Sequence, residues 1–345
     1  MSTQLENPAF DDTYFQENLP QVYRSILRSF CKISTSFAIF NASYALLFVL
    51  ELSAFAFFLP LLSKSALLAI SLSCIFLTVF SYLVLLFYYL AKKPEQFVHL
   101  KDQFLSSAQK LIGHPSGNAE YHLSIAAAFG KLASYLDDFE GNLYRIPSIL
   151  NPIRKTLESF SAFCHWQDVF RFKQILLHAA IDEHLHQIRT TPTDLEVHAS
   201  LANTYIALSK LFVEPKSSSL ARMYQKRKES FEDNFRVASS LAIEEFQILN
   251  HYAPNDPWVH EQLASGYRDL RMPEEEIKEV EILLKLRPQD RELLLRLGML
   301  YFKQGANAKG LRIYEELKQA NYMKAKDLMA AYGKPQDTRL TCEIL

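Results

Sequence analysis

Asp256-Pro257-Trp258-Val259-His260-Glu261-Gln262-Leu263-Ala264-Ser265-Gly266-Tyr267 is answered further along the chain by Asp290-Arg291-Glu292-Leu293-Leu294-Leu295-Arg296-Leu297-Gly298-Met299-Leu300-Tyr301. In this register, an offset of 34 from Asp256 to Asp290, His260 falls on Leu294, Leu263 on Leu297, Ala264 on Gly298 and Tyr267 on Tyr301. Outside the quoted stretch, Pro254 falls on Pro288, Val280 on Tyr314 and Leu283 on Leu317. Large, large, small and aromatic residues, then two apolar positions and a closing proline, describe a helix–turn–helix unit. The small residue is where two helix backbones approach closely.

The first-helix segments His260–Tyr267 and Leu294–Tyr301 resemble tetratricopeptide repeats, with His260 and Leu294 standing where that family usually has tryptophan. The resemblance implies an all-α solenoid that binds a protein or peptide in its superhelical groove and does no chemistry. The clear units are 257–290 and 291–322. Two are too few, because each buries its apolar face only against a neighbour.

Run backwards, the register finds His198, Leu201, Ala202 and Tyr205 as a first helix, with Ala242, Phe246 and Leu249 as its second. There 37 residues separate Tyr205 from Ala242 where nine separate Tyr267 from Glu276, so 28 are inserted. A more degenerate unit joins His122, Ile125, Ala126 and Phe129 to Ala180 and His184 across a longer insertion rich in Phe. The second insertion turns at Glu214-Pro215-Lys216 and then reads as a long helix to about Asn250. A capping helix is expected over Ala325–Tyr332, ended by Gly333-Lys334-Pro335 and a tail, 334–345.

The chain of 345 residues has room for more than one domain, and its net charge of −1 gives no field for nucleic acid. Nine glycines suit a nearly all-helical chain, and four scattered cysteines show neither metal nor disulfide-framework spacing.

After a segment of residues 1–36, read as cytoplasmic, two apolar runs at 37–62 and 66–90 each exceed the ~20 residues a helix needs to cross a bilayer. Only Ser63-Lys64-Ser65 separates them, so they are read as an antiparallel transmembrane hairpin. Arg24, Arg28 and Lys32 precede the first span and Lys92, Lys93 and Lys101 follow the second, which places both ends on the cytoplasmic side. An amphipathic connector at 91–113, broken at Gly113–Gly117, leads into a helical domain at 114–333. The two-lobed hairpin is similar in topology to the inclusion-membrane proteins of Chlamydia. That likeness implies a host-derived inclusion membrane in place of a bacterial inner membrane, and a host protein as partner.

Glu51 is the acidic residue of the apolar runs; it could pair across an oligomer of this chain, accept from Ser71 or Ser73, sit protonated, or simply be tolerated. An oligomeric pore around Glu51 is a third functional reading. His178, Asp182 and His186 share a helix face but lack a further ligand pair, and are read as surface contacts. Arg222, Lys226, Arg227 and Lys228 are diluted by Glu229, Glu232 and Asp233 and read as a solvated face. Thr341-Cys342-Glu343-Ile344-Leu345 matches a prenylation box formally, and chance is the preferred reading. His122, His198 and His260 share one repeat position and are read as packing residues.

No phosphate loop, nucleophile elbow or paired-carboxylate arrangement occurs, so no enzyme, cofactor or metal is expected. The groove-facing residues of the clear units are expected to be Trp258, Glu261, Ser265, Arg268 and Asp269, then Leu295, Met299, Phe302 and Lys303. Of the carboxylate-clamp set that grips chaperone tails, Asn203 is present and the lysines are not.

Overall fold

A computed structural model describes residues 12–62, 67–112, 119–137, 139–143, 154–213, 225, 227–320 and 322–332. The breaks expected at Gly113–Gly117 and Glu214–Lys216, the loop at Ser63–Ser65 and the tail after Tyr332 lie outside them. Among the described residues the protein is all helix, with no strand. The described residues form eleven α-helices: α1 (Asp12–Leu62), α2 (Leu67–Ile112), α3 (Ala119–Ser134), α4 (Arg154–Thr190), α5 (Leu195–Leu211), α6 (Lys228–Tyr252), α7 (Pro257–Asp269), α8 (Pro273–Leu286), α9 (Arg291–Lys303), α10 (Asn307–Ala320) and α11 (Tyr322–Ala331). They form two compact units, 1–192 with 214–227, and 193–213 with 228–345.

In the first unit α1 and α2 are single helices of 51 and 46 residues. The second apolar run and the connector expected at 91–113 form one continuous helix, α2, which carries on through Pro94. The flanking lengths are committed to packing. Phe15, Leu19, Tyr23, Ile26, Phe30 and Ser34 recur at three- and four-residue steps and are buried, as are Phe97, Leu100, Phe104 and Ala108. Phe30 stacks on Phe172 of α4 at 5.0 Å, Phe104 meets Phe129 of α3 at 5.0 Å, and the Tyr23 hydroxyl donates to the Ala128 carbonyl at 3.2 Å. Residues 12–34 and 94–112 therefore belong to one packed bundle with α3 and α4. The apolar lengths beyond are different. Both helices are long and apolar enough to cross a membrane, and the most apolar window of each is wholly unburied.

The second unit shows the repeat in its local geometry. Asp194, Asp256 and Asp290 each stand two residues after a proline (Pro192, Pro254, Pro288). Each adopts an extended backbone and its carboxylate accepts from the N–H two residues on, at Glu196, Trp258 and Glu292. The proline stops one helix and the aspartate caps the next. The turn after the first helix is repeated too. The Met272 N–H reaches the Tyr267 carbonyl at 2.8 Å and the Ala306 N–H reaches the Tyr301 carbonyl at 2.9 Å. That turn needs a left-handed residue, supplied by Arg271 (φ 58°) and, one period on, by Gly305 (φ 73°). Glycine takes that conformation freely and arginine does not. Arg271→Gly is thus expected to stabilise the unit by about 1 kcal/mol, read as a shift in its denaturant midpoint.

Tertiary packing follows the register. Leu201, Ala202 and Tyr205, then Leu263, Ala264 and Tyr267, then Leu297, Gly298 and Tyr301 are buried on successive first helices. The Gln247 amide donates to the Tyr267 hydroxyl at 3.0 Å, and the Tyr301 hydroxyl donates to Glu281 at 2.5 Å; Gln247 and Glu281 are again one period apart. Burial first, then the bond and charge of Glu281, push the Tyr301 phenol up to about 12. α11 covers the last unit as a cap, with Leu328 fully buried and its methyls over Gly298.

Candidate partner-binding face

The first helices α5, α7 and α9 present charge to a common surface. Shielding from water raises the Asp269 carboxyl above the usual range, and Arg268, Lys210 of α5 and Arg296 of α9 all pull the other way. On α7, Trp258 sets its ring edge-on to Phe246 at 5.6 Å and stays part-exposed. Glu261 is exposed with Arg287 at 3.6 Å, and the Arg268 guanidinium donates to Ser265 at 3.1 Å. On α9, Leu295 and Met299 are half-buried along the edge of the terminal core, and Lys303 is exposed. Phe302 is placed differently from expectation. Its ring fills the space over Gly310, where a Cβ would come within 2.4 Å of it, and meets Tyr332 edge-on at 5.0 Å. Phe302 serves the packing of α9 on α10, not the open face.

Two polar networks lock this face from behind. Arg296 donates through Nη2 to Glu276 at 2.7 Å and to the Ala264 carbonyl at 3.1 Å, and through Nε to Glu276 at 3.1 Å. Glu276 is only 3% exposed, so its charge is offset by this neighbour from the next unit. The second network repeats. His122, His198 and His260 set Nδ1 against Glu183, Glu245 and Glu279 at 2.7, 2.6 and 2.6 Å. Each of these histidines packs and is also one half of a bracket between the two helices of its unit. The signal was available, because Glu183, Glu245 and Glu279 each lie nine residues before Pro192, Pro254 and Pro288. His260 further sets Nε2 against the Pro254 carbonyl at 2.9 Å. In the last unit Leu294 and Ile313 replace the bracket within the terminal core.

Elsewhere the candidates separate. The Glu51 carboxylate accepts from Thr78 at 2.7 Å, and Ser73 instead donates to the Ala69 carbonyl of its own helix. Glu51 thus finds its partner seven residues further along α2 than Ser71. The Tyr82 hydroxyl donates to Asn41 at 3.0 Å, a second polar tie between α1 and α2. His178 sets Nδ1 against the Gln174 carbonyl and His186 stacks on His122, so with Asp182 they do not converge, and no cluster of metal-ligating residues occurs among the described residues. Lys228 lies 3.7 Å from Glu232, whereas Arg222, Lys226 and Cys342 fall outside the described residues.

His184 of α4 sits in the core of the first unit, and burial pushes its imidazole down to about 4. The folded chain holds it neutral while the unfolded chain binds a proton below the ordinary value of 6.5. Stability from the neutral ring is complete above about pH 6.5 and is lost as the pH falls towards about 4. The loss is of order 3 kcal/mol. Acid titration of the detergent-solubilised chain, followed by aromatic circular dichroism, should show loosening in that window that His184→Leu suppresses.

Two long apolar helices followed by pairwise-packed, repeat-like helices define the class of this protein. No family model matches the chain, and none of the curated proteins compared matches it.

Proposed function

We propose that this chain is a membrane-anchored, tetratricopeptide-like adaptor that binds a protein or peptide partner along α5, α7 and α9. The observation that carries the reading is a geometry that returns with the period: a capping aspartate at Asp194, Asp256 and Asp290, and a left-handed turn residue and tyrosine hydroxyl tie in both of the last two units. It is the geometry of a stacked array, whose use is its continuous face of first helices. The anchor is the α1–α2 pair, a hairpin with both ends on one side. Phe30 and Phe97 both meet Phe172, which supports that shared side.

A photo-crosslinking residue at Ser265 or Met299 in intact membranes should capture a partner that excess 193–345 fragment displaces. The same residue at Lys278, on the outer surface of α8, should not. Equal capture at Lys278 would discard the face. Reporters fused at Lys32 and at Lys101 should be accessible from the same side of the membrane; opposite accessibility would leave one span and overturn the hairpin.

The hairpin also supports the reading of an inclusion-membrane effector, in which that side is the host cytosol and the partner a host protein. Finding the protein on host-derived membrane would select it.

A further inference from the structure

His260 of α7 is 2% exposed, and both of its ring nitrogens face an acceptor. Nδ1 stands 2.6 Å from Glu279 Oε2 of α8, and Nε2 stands 2.9 Å from the Pro254 carbonyl in the turn between α6 and α7. An ionised carboxylate and a carbonyl both accept, so each contact takes a proton from the ring. A neutral imidazole has one N–H and can make one of the two bonds. The imidazolium makes both. A proton on Glu279 in place of Nδ1 would satisfy the same contacts, but imidazole is the stronger base, so the ring carries it.

The surroundings suit that state. Glu279 is the charged group set against the ring, and its side chain is 14% exposed. The α6 side contributes the uncharged Pro254 carbonyl, and on α7 itself the Asp256 carboxylate is turned to the Trp258 N–H. An ion pair held this far from water stands when its remaining polar atoms are bonded as well. The carbonyl supplies that bond on the far side of the ring. One side chain thus ties together the turn that closes α6, α7 and α8.

The next unit fills the same positions without a proton. One period on, His260 and Glu279 become Leu294 and Ile313, which pack in the terminal core. An apolar pair therefore meets the packing requirement, and the titratable pair adds a dependence on pH that packing does not call for.

We propose that the His260–Glu279 bracket is a proton-linked latch, which closes the turn after α6, α7 and α8 on one another while the ring donates from both nitrogens. As the pH rises the ring gives up a proton and one of its two bonds is lost. The sense is opposite to that of His184, whose neutral ring loosens the first unit as the pH falls. The two units answer acid differently: the first loosens and the second stays latched. The latch stands whether or not the exposed side of α7 binds a partner.

Nitrogen NMR of the detergent-solubilised full chain, with ring-labelled histidine, tests it. At about pH 8, where a free imidazole keeps a single N–H, both His260 nitrogens should carry directly bonded protons. Their signals are identified by their absence from the double variant His260→Leu, Glu279→Ile, which copies the pair of the next unit. Glu279→Gln should return the ring to one N–H at the same pH. With Trp166→Phe as background, Trp258 fluorescence follows chemical denaturation of the second unit. The midpoint should fall as the pH is raised from about 6 to about 9, and it should fall clearly less in the double variant. The His198–Glu245 bracket is present in both chains, so the difference belongs to His260 and Glu279. A bare ring nitrogen on His260 at about pH 8, or midpoints that fall equally in the two chains, overturns the latch.

Discussion

Arg296→Ala is expected to lower the unfolding free energy of the 193–345 unit by roughly 3–5 kcal/mol, because it strands a buried carboxylate. Glu276 is almost fully buried, and Arg296 gives it two hydrogen bonds from a helix of the next unit. Removing the guanidinium also deprives the Ala264 carbonyl of a donor. The register shows how to relieve the damage. The positions one period before and one period after Glu276 are Ala242 and Gly310, both small. Adding Glu276→Ala to Arg296→Ala should recover most of the loss, since replacing both members of a buried pair is far milder than breaking it. Chemical denaturation of wild type, both single variants and the double variant measures this directly. A loss below about 1 kcal/mol for Arg296→Ala would mean a solvent-screened pair, and an open seam between α8 and α9.

Gly298→Leu should destabilise the terminal unit by overpacking it. A Cβ there already meets Leu328 Cδ2 at 2.7 Å and Ile313 Cγ2 at 3.0 Å. Those two side-chain ends can yield to a methyl group, but three further carbons require α11 to move. Overpacking of this kind costs about 1–3 kcal/mol, occasionally more. Here it also lifts the cap from the array, so the loss spreads to the neighbouring unit. Ala264→Leu, at the fully buried equivalent one repeat earlier, should act in the same direction. Ser265→Leu, half-buried on the open face, should change stability by no more than about 0.5 kcal/mol while reducing capture of the partner. Thermal melts of the three variants decide it. Equal destabilisation by Ser265→Leu and Ala264→Leu would show that α7 is rotated from its place here.

The repeat period, the small and aromatic positions and the proline–aspartate punctuation were all legible in the chain, because each expresses a local rule. A helix must be stopped, capped and given a small residue where its neighbours crowd in, although at Gly298 it is the Leu328 and Ile313 side chains that close over it and not the backbone the small residue was expected to meet. The left-handed turn could be placed for the same reason, although Gly305 announces it and Arg271 does not. The His–Glu brackets were half legible. Histidine taken alone reads as a packing residue, and the pairing emerges only when the two helices of each unit are aligned on their closing proline.

What the tertiary structure decided involves long separations or degenerate surfaces. Residues 12–34 carry an aromatic stripe that could cover any apolar partner; only the fold shows that Phe30 sits against Phe97 and Phe172, joining the hairpin's flanks to α3 and α4. Phe302 occupies a position that period alone assigns to the open face, yet the glycine opposite it at Gly310 leaves a space that its ring fills. In the apolar pair α1–α2, Leu, Ile and Phe side chains fit many relative rotations and shifts equally well, so spacing cannot tell which hydroxyl Glu51 will reach. The axial register of the two helices brings Thr78 there, and Ser73, more than a turn earlier on α2, donates to the Ala69 carbonyl of its own helix.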